Sequence, residues 1–546
     1  MKKLYKILLL TIILSSCHSK NEVDLIIHNA NIYTVDSEFS SAQALAVKGG
    51  KIVAVGNDQE ILSNYKSAEI NNLKRQTVVP GLIDAHAHFH RLGSMSSKVR
   101  LEGTKSYQEV LDRIVNYQKE NQVSFITGRG WDQNDWESKT FPNKKELDKL
   151  FPETPVAITR VDGHALLVNQ AALDVAKIDR ATKIEGGEII KDENGNPTGV
   201  LIDAAMQAVY DQVPPPTTSE EISSLKKAEE ICLSYGLTTV DDAGLPRETI
   251  ELIDSLQNNG ALQIRIYAMV SASDDNLDYY LAKGISKTDR LNVRSFKFYG
   301  DGALGSRGAT LREPYTDRHA HYGALINSVE RFENTAKRIA ASEFQMNTHA
   351  IGDSTNHLVL HTYKEVLKGQ KDRRWRIEHA QIVSPEDFSY FKEIIPSIQP
   401  THATSDMYWA EDRVGSKRME TAYAYKDLLK VHGKVALGTD FPVENVNPFY
   451  TFYAASVRQD LQAYPEHGFQ MENALSREET LKGMTIWAAY SNFEEHEKGS
   501  LEPGKMADFT VLDRDIMKVD NSQLPNTQAL KTYISGKLVY NKNPKQ

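Results

Sequence analysis

Short apolar runs alternate with longer amphipathic stretches through the central part of the chain. Because strands that alternate with helical stretches are typical of βα units, this pattern predicts a parallel sheet. Eight runs are assigned to that sheet, namely residues 82–88, 237–242, 263–270, 294–300, 345–349, 376–380, 395–399 and 435–440. Eight is the number of strands that a closed (β/α)8 TIM barrel requires.

Two further apolar runs, 124–128 and 155–161, lie between the first and second of these strands. We therefore interpret residues from about 91 to 232 as a long insertion after the first barrel strand. The choice of eight runs out of ten also takes account of where polar residues follow them.

Both ends of the chain show a different pattern, in which short strand-like runs follow one another closely. These runs are 24–28, 31–35, 44–48, 51–56, 507–512, 530–534 and 537–540. Gly49-Gly50 separates two of them and predicts a hairpin turn. We expect residues 18–80 and 498–546 to form one small β-domain, with the barrel over residues 81–497.

Composition and charge exclude several classes of protein. The 546 residues are 40% hydrophobic and 25% charged, which is typical of a globular protein rather than a disordered or multi-pass membrane protein. A net charge of −9 argues against a nucleic-acid partner, because such proteins usually carry a basic face. Two cysteines cannot supply a disulfide framework. The sequence leaves the oligomeric state open.

The first residues predict an export signal. Three lysines precede an apolar run that ends at residue 14, the pattern of a secretory signal peptide. The letters LSSC at 14–17 resemble a bacterial lipoprotein box, in which Cys17 becomes lipidated; the alternative is an ordinary signal peptide with an incidental cysteine. We expect an exported lipoprotein, anchored through Cys17 on the periplasmic or cell-surface side of a membrane. His18 is not the aspartate associated with inner-membrane retention in some bacteria, which favours the outer membrane.

A histidine pair lies at the end of the first predicted strand, in PGLIDAHAH at 80–88. His86 and His88 are two residues apart on a strand, so their side chains point to the same face. At the carboxyl end of a barrel strand that face is the lumen, where barrel enzymes build their sites. Two neutral imidazoles on a stiff strand make a preformed pair of metal ligands, although two exposed histidines would give the same letters.

Four more polar residues follow or lie within other predicted strands: Lys297, His349, His379 and Asp440. Each alone has an ordinary explanation, such as a helix cap, a hydrogen-bonded histidine or an ion pair. Together with the histidine pair they fall on the first, fourth, fifth, sixth and eighth strands. Because the carboxyl ends of these strands meet at one mouth, the set predicts a metal site.

Possible substrate contacts are less sharply defined. Trp131 and Asp132 lie in GRGWDQ within the insertion, where a tryptophan can stack on a substrate or fill the core. His164 follows a strand run in the same segment and is a candidate pocket residue. Arg307 could bind a substrate carboxylate or form a surface ion pair. His402 lies just beyond the seventh strand and is a candidate pocket wall.

Several long motifs now carry a family resemblance. The chain resembles the metal-dependent amidohydrolase superfamily, and within it the branch of N-substituted formamide deformylases (amidohydrolase family 3). The motifs include VVPGLIDAHAHFH, GRGWDQNDW, RVDGHALLVNQAAL, FKFYGDGALGSRGA, THAIGD, RIEHAQ, LGTDFPV and GSLEPGKMADFTVLD. The resemblance implies a (β/α)8 barrel with a β-sandwich built from both chain ends, in agreement with the strand pattern.

The resemblance also assigns roles to the polar residues. It implies metal ligation by His86, His88, His349, His379 and Asp440, and a Lys297 that binuclear members carry as a CO2-derived carbamate bridging two metals. Zinc is the expected ion, one or two per chain, since it suits imidazole and carboxylate ligands. Without the carbamate, we expect one metal ion, held by the histidines and Asp440.

These expectations lead to a function. Metal-activated hydroxide would hydrolyse a non-peptide C–N bond of a small amide-type molecule, giving a carboxylic acid and an amine. Asp440 would accept the proton of the water and pass it to the leaving nitrogen. Two alternatives stay open: a cyclic amide or ester hydrolase with the same site, and an inactive binding lipoprotein built on this barrel.

Overall fold

The computed structural model describes residues 20–96, 98–160, 163–184 and 187–542. The predicted signal peptide and Cys17 lie outside the described residues. Within the described ranges, no helix combines the length and the apolar character needed to cross a bilayer. The chain divides into two compact units, residues 1–88 with 231–546 and residues 89–230.

The first unit contains the predicted barrel. Among the described residues, eight parallel strands pair in the order of the sequence: Leu82–Ala87, Leu237–Leu245, Arg265–Ser271, Leu291–Tyr299, Gln345–Ala350, Arg376–His379, Ile395–Ile398 and Ala436–Leu437. Each lies within or overlaps one of the eight predicted runs, so the fold prediction is confirmed. A short segment, Ser286–Lys287, pairs antiparallel with the fourth strand.

Backbone hydrogen bonds join the first strand to the residues that follow the eighth. The Asp440 N–H donates to the His86 carbonyl (2.8 Å), and the His88 N–H donates to the Phe441 carbonyl (2.8 Å). Gly438 permits this approach, since a Cβ there would lie 2.5 Å from the His86 nitrogen. The histidine pair and Asp440 are thereby brought side by side at one mouth of the barrel.

Helices follow the barrel strands as the βα pattern predicts. In this unit they are Arg247–Asn258, Asp274–Lys283, Val329–Ala340, Asp353–Val366, the 3-10 helix Pro385–Lys392, Pro400–Asp406, Ala410–Met419, Tyr425–His432, Pro448–Val457, Arg477–Gly483 and Ile486–Ser491. Residues 471–473 and 521–526 form further short 3-10 turns. The helix Asp353–Val366 and the 3-10 helix Pro385–Lys392 follow the fifth and sixth strands.

Strands from both chain ends form the predicted β-sandwich in the same unit. One sheet contains Lys51–Gly56, Ala44–Lys48, Leu25–His28 and Glu69–Asn72. The other contains Lys537–Asn541, Ala529–Ile534, Phe509–Leu512, Thr77–Pro80, Asn31–Tyr33 and Ser41–Ala42. Their inner faces share one apolar core that includes Ile27, Val47, Val78, Val511 and Tyr533. Asn21–Glu22 pairs with Tyr65–Lys66 nearby, and Asp58–Asn64 is helical.

The second unit is the segment predicted as an insertion. Its sheet has six strands within the described residues: Val99–Arg100, Ile126–Trp131, Val156–Arg160, Ala165–Val168, Pro197–Asp203 and Gly187–Lys191. Its helices are Phe89–Ser96, Tyr107–Asn121, Lys145–Leu150, Gln170–Val175 and Ala204–Tyr210, and Thr218–Ser234 continues into the first unit. Two of the six strands correspond to predicted runs. The other four strands were not predicted.

Candidate metal centre

The structure brings the six predicted metal-site residues together at the carboxyl ends of the barrel strands. His86 and His88 end the first strand, and Lys297 lies near the end of the fourth. The remaining three, His349, His379 and Asp440, end the fifth and sixth strands and follow the eighth. All six belong to the first unit, so the barrel alone positions them.

Asp440 faces the histidine pair. Its Oδ1 lies 3.2 Å from His88 Nε2 and 3.6 Å from His86 Nε2. Ligand atoms of these three residues lie within 4.8 Å of one another, and the same is true of His379, His402 and Asp440. Asp440 therefore links two groups of histidines around one space.

The other side of this space is formed by Lys297 and two further imidazoles. The Lys297 Nζ lies 3.3 Å from His86 Nε2, and the Lys297 residue is only 1% exposed. The ring of His379 lies 5.0 Å from that of His86 and 4.4 Å from that of His349, both edge to face. The ligand set is thus continuous from the first strand to the sixth.

Two of these residues have an uncommon backbone conformation. The φ angle is +63° at Asp440 and +76° at His379, in the left-handed region that non-glycine residues seldom adopt. Such conformations persist only where surrounding structure enforces them, and they cluster at functional sites. Here they turn both side chains into the barrel mouth.

Burial favours the neutral form of three imidazoles of the centre, those of His86, His349 and His379. Loss of solvation lowers the pKa of His349 to about 3 and that of His379 well below its usual value, and nearby cationic groups add to both effects. Burial also lowers the pKa of His86. A neutral imidazole offers the lone pair that a metal requires. The protonation states of these residues therefore fit ligation.

Burial acts in the same sense on the lysine. Its desolvation lowers the pKa of Lys297 to about 8, although nearby carboxylates, Glu378 first, oppose the shift. Burial alone would raise the pKa of Asp440, but the nearby imidazoles of His402 and His88 hold it well below its usual value. The centre thus combines an anionic carboxylate with an amine that loses its proton readily.

Buried polar atoms without partners show that the centre fits a cation. His349 Nε2, His379 Nδ1 and Asp440 Oδ1 are buried and have no hydrogen-bond partner among the described residues. An unsatisfied buried group costs about 1–3 kcal/mol, so three in one space require an explanation. Coordination of a divalent metal would satisfy all three, since imidazole and carboxylate are ligands that zinc prefers.

The sequence analysis missed two carboxylates that support the ligands. Glu378 Oε2 lies 2.7 Å from His86 Nδ1 and fixes the ring so that Nε2 faces the centre. Asp84 accepts hydrogen bonds from the Thr439 hydroxyl (2.7 Å) and N–H (3.0 Å), which ties the first strand to the eighth. Asp84 is two residues from His86 on the same strand, so both side chains point to the same face. This spacing could have identified Asp84 as part of the site. Glu378 gave no such signal, because strand alternation separates it from its neighbour His379.

His402 joins the centre through Asp440. Its Nε2 lies 3.2 Å from Asp440 Oδ2, and its Nδ1 lies 3.2 Å from Glu444 Oε1. Burial opposes protonation of this imidazole, but hydrogen bonds to the two carboxylates raise its pKa to about 10. His402 was predicted as a pocket wall, and the structure places its imidazole between Asp440 and Glu444, where it orients Asp440.

Arg307 is engaged by another side chain. Its guanidinium donates to both oxygens of Asp317, at 3.0 and 2.7 Å, and Arg413 also donates to that carboxylate. Of the two roles considered for Arg307, this geometry favours the ion pair over substrate binding.

Three other candidate substrate contacts lie in the second unit. Trp131 is fully buried in its hydrophobic core, where the indole N–H donates to the Ile158 carbonyl (2.8 Å). This environment favours the packing role. Asp132 caps a 3-10 turn and lies 2.5 Å from an Arg160 nitrogen. His164 is largely exposed, with Nδ1 2.8 Å from Asp203 Oδ1.

Known proteins share this architecture and sequence. The amidohydrolase family model matches residues 69–540. The chain is 32% identical to the protein LONG AFTER FAR-RED 3 of Arabidopsis thaliana, over 95% of this chain and 91% of that protein. It is 26% identical to an N-substituted formamide deformylase of Arthrobacter pascens, over 95% and 98%. A crystal structure of an uncharacterized metal-dependent hydrolase from Pyrococcus furiosus matches 90% of this chain and 99% of that chain, with a TM-score of 0.76 and 27% identity. The chain therefore belongs to the amidohydrolase family and is a metal-dependent hydrolase.

Proposed function

We propose that this protein hydrolyses a non-peptide C–N bond of the amide type in a small molecule, releasing a carboxylic acid and an amine. The observation that carries the proposal is the buried cluster at the barrel mouth, in which four imidazoles face one carboxylate and one lysine. Similarity over nearly the full length to a protein named as an N-substituted formamide deformylase supports formamides as the first class to test.

The residues that would hold the metal are His86, His88, His349, His379 and Asp440. When bound, divalent zinc supplies Lewis-acid polarisation of the scissile carbonyl and lowers the pKa of water. The protein contributes the rigidity of the strand ends and the support of Glu378 behind His86.

Asp440 is the residue that would move the proton. Its low pKa keeps it ionised, so it can accept a proton from the attacking water. It would then deliver that proton to the nitrogen, which is a poor leaving group as an amide anion. The hydrogen bond from His402, which is itself held by Glu444, fixes the carboxylate in one orientation during both transfers.

We propose further that Lys297 is carboxylated and that its carbamate completes a two-metal centre. An ammonium so close to cations would be repelled, whereas a carbamate is an anionic oxygen ligand. Its amine reacts with CO2 only when neutral, forming a new N–C bond and releasing one proton. Burial favours this reaction, because a pKa lowered to about 8 leaves a larger neutral fraction of the amine near physiological pH than an ordinary lysine has.

A panel assay tests the proposed reaction. Purified protein reconstituted with zinc and bicarbonate is expected to hydrolyse at least one substrate among N-substituted formamides, N-acyl amines, cyclic amides and esters. Amine release from a formamide or an N-acyl amine supports the proposal, and dialysis against a chelator should abolish it until zinc is restored. Hydrolysis of cyclic amides or esters alone would replace the proposed substrate class. If metal-loaded protein hydrolyses none of these substrates, the result would contradict the proposed function.

We also propose that the protein is a lipoprotein anchored through Cys17. The support is the LSSC box after an apolar signal and the presence of only one other cysteine, Cys232, which is buried. In a bacterial host fed an alkyne-tagged fatty acid, the wild type should be labelled and recovered with outer membranes. Cys17→Ser should lose the label and leave the membrane fraction. Cys232→Ala is the matched control, and equal labelling of all three proteins would refute the anchor.

A further inference from the structure

A second histidine cluster lies outside the barrel mouth, where two elements of the helical layer meet. His357 and His361 lie on the helix Asp353–Val366, and Asp387 lies on the 3-10 helix Pro385–Lys392. His357 Nδ1 lies 3.0 Å from Asp387 Oδ1, and His361 Nε2 lies 3.5 Å from the same oxygen. One ligand atom from each of the three residues falls within 4.8 Å of the others.

The local sequence explains why the imidazoles converge. His357 and His361 are four residues apart, so they occupy the same face on successive turns of the helix. Their ring centroids are 3.9 Å apart. This is the spacing with which two histidines on one helix bind zinc in other proteins. Asp387 completes the group from a separate segment, and its side chain is fully buried.

The distances suit a tetrahedral ion. With zinc–nitrogen and zinc–oxygen bonds of about 2.0–2.1 Å, neighbouring ligand atoms lie about 3.4 Å apart. The two measured separations, 3.0 and 3.5 Å, bracket this value. The imidazole side chains are 39% and 44% exposed, so an ion can enter from solvent and keep water as a fourth ligand.

The surrounding charges are balanced. Arg312 Nη2 lies 3.6 Å from Asp387 Oδ2, but the same guanidinium also donates to Glu386. The centroid of the Tyr390 ring lies 4.6 Å from that of the His361 ring. The Lys364 Nζ lies over the same tyrosine ring, 4.7 Å from its centroid. Asp387 Oδ1 therefore lies close to both histidines. Its Oδ2 lies 3.1 Å from His357 Nδ1 and also faces the arginine.

We propose that His357, His361 and Asp387 form a second divalent-metal site, distinct from the centre in the barrel, for an ion that prefers imidazole, such as zinc. The site joins the helix that follows the strand of His349 to the turn that follows the strand of His379. Bound metal would cross-link these two elements and stabilise the folded state, since it binds native protein more tightly than unfolded chain.

Zinc counting tests this site. Full-length protein in detergent is equilibrated with buffered free zinc, and bound zinc is measured by mass spectrometry. We expect the wild type to bind one zinc more per chain than His361→Ala or His357→Ala, while amide hydrolysis is unchanged. His496→Ala is the matched control, because that imidazole is 92% exposed and lies outside the cluster. It should keep the wild-type count.

A thermal melt supplies a second readout. With the barrel centre already filled, further zinc should raise the Tm of the wild type and of His496→Ala but not that of His361→Ala. His361→Gln, which keeps a polar side chain, replaces the alanine variant if the latter fails to fold. Equal zinc counts in wild type and both cluster variants would overturn the proposal. Loss of the extra zinc from His496→Ala as well would also overturn it, since it would indicate general surface binding.

Discussion

Replacing Asp440 by asparagine is expected to lower kcat by about 10²–10⁴-fold, the range that a positioned general acid–base group contributes. The amide keeps the shape of the side chain but cannot accept a proton from water at neutral pH. The imidazole ligands and Lys297 are unchanged in the variant, so most of the metal should stay bound. The loss should therefore appear in kcat rather than in metal content.

Steady-state kinetics and metal analysis on the same preparation check this expectation. Asp427→Asn is a suitable control, because that carboxylate is half exposed and pairs with Lys430 three residues away. Such exposed pairs contribute at most about 1 kcal/mol, so turnover should not change. Turnover near the wild-type level in Asp440→Asn would remove Asp440 from its proposed role. Loss of all metal from Asp440→Asn would instead indicate that Asp440 acts chiefly as a metal ligand.

Replacing Lys297 by alanine is expected to reduce the metal bound in the barrel centre from about two ions to about one or none, with a corresponding loss of turnover. The count is made in the His361→Ala background, so that only the barrel centre contributes. The Lys297 side chain is buried beside His86. Among the described residues of the centre, no other side chain offers an equivalent amine. The substitution would remove the proposed carbamate and leave a cavity. Short carboxylic acids such as acetate or propionate should partly restore metal binding, because they supply an anionic oxygen ligand of similar shape.

The pH dependence of reconstitution provides an independent check. The pKa of Lys297, lowered by burial to about 8, means that the amine is mostly protonated below pH 8 and mostly neutral above it. At fixed dissolved CO2, metal-free protein should therefore regain two metals faster at pH 8.5 than at pH 7. Lys430→Ala, at an exposed side chain, serves as the control. One metal in the barrel centre of wild type and Lys297→Ala alike would favour a mononuclear centre.

Much of the architecture was predictable from the sequence, because burial imposes a pattern on it. The barrel strands are buried on both faces and therefore read as short apolar runs. Seven of the ten described sandwich strands were also predicted, whereas Ser41–Ala42, Glu69–Asn72 and Thr77–Pro80 were not. The Gly49-Gly50 turn has the positive φ angles that a tight hairpin needs. Polar residues at the ends of apolar strands stand out against this background, so His86, His88 and Asp440 could be identified before any contact was known.

Other features depended on contacts between residues far apart in the chain. Glu378 supports His86 across 292 positions, and its neighbour His379 can face the same mouth only because its backbone has a positive φ. That conformation breaks the strand alternation on which the sequence argument relied.

The barrel, most of the sandwich strands and the residue types that end the barrel strands follow from local periodicity and could be predicted from the sequence. Three features became evident from the packing of the folded chain: His402 contacts Asp440 of the metal centre, Trp131 fills a core, and His357 and His361 meet Asp387. The physical reason is that local patterns fix which face of an element is buried. What that face meets depends on how distant elements pack.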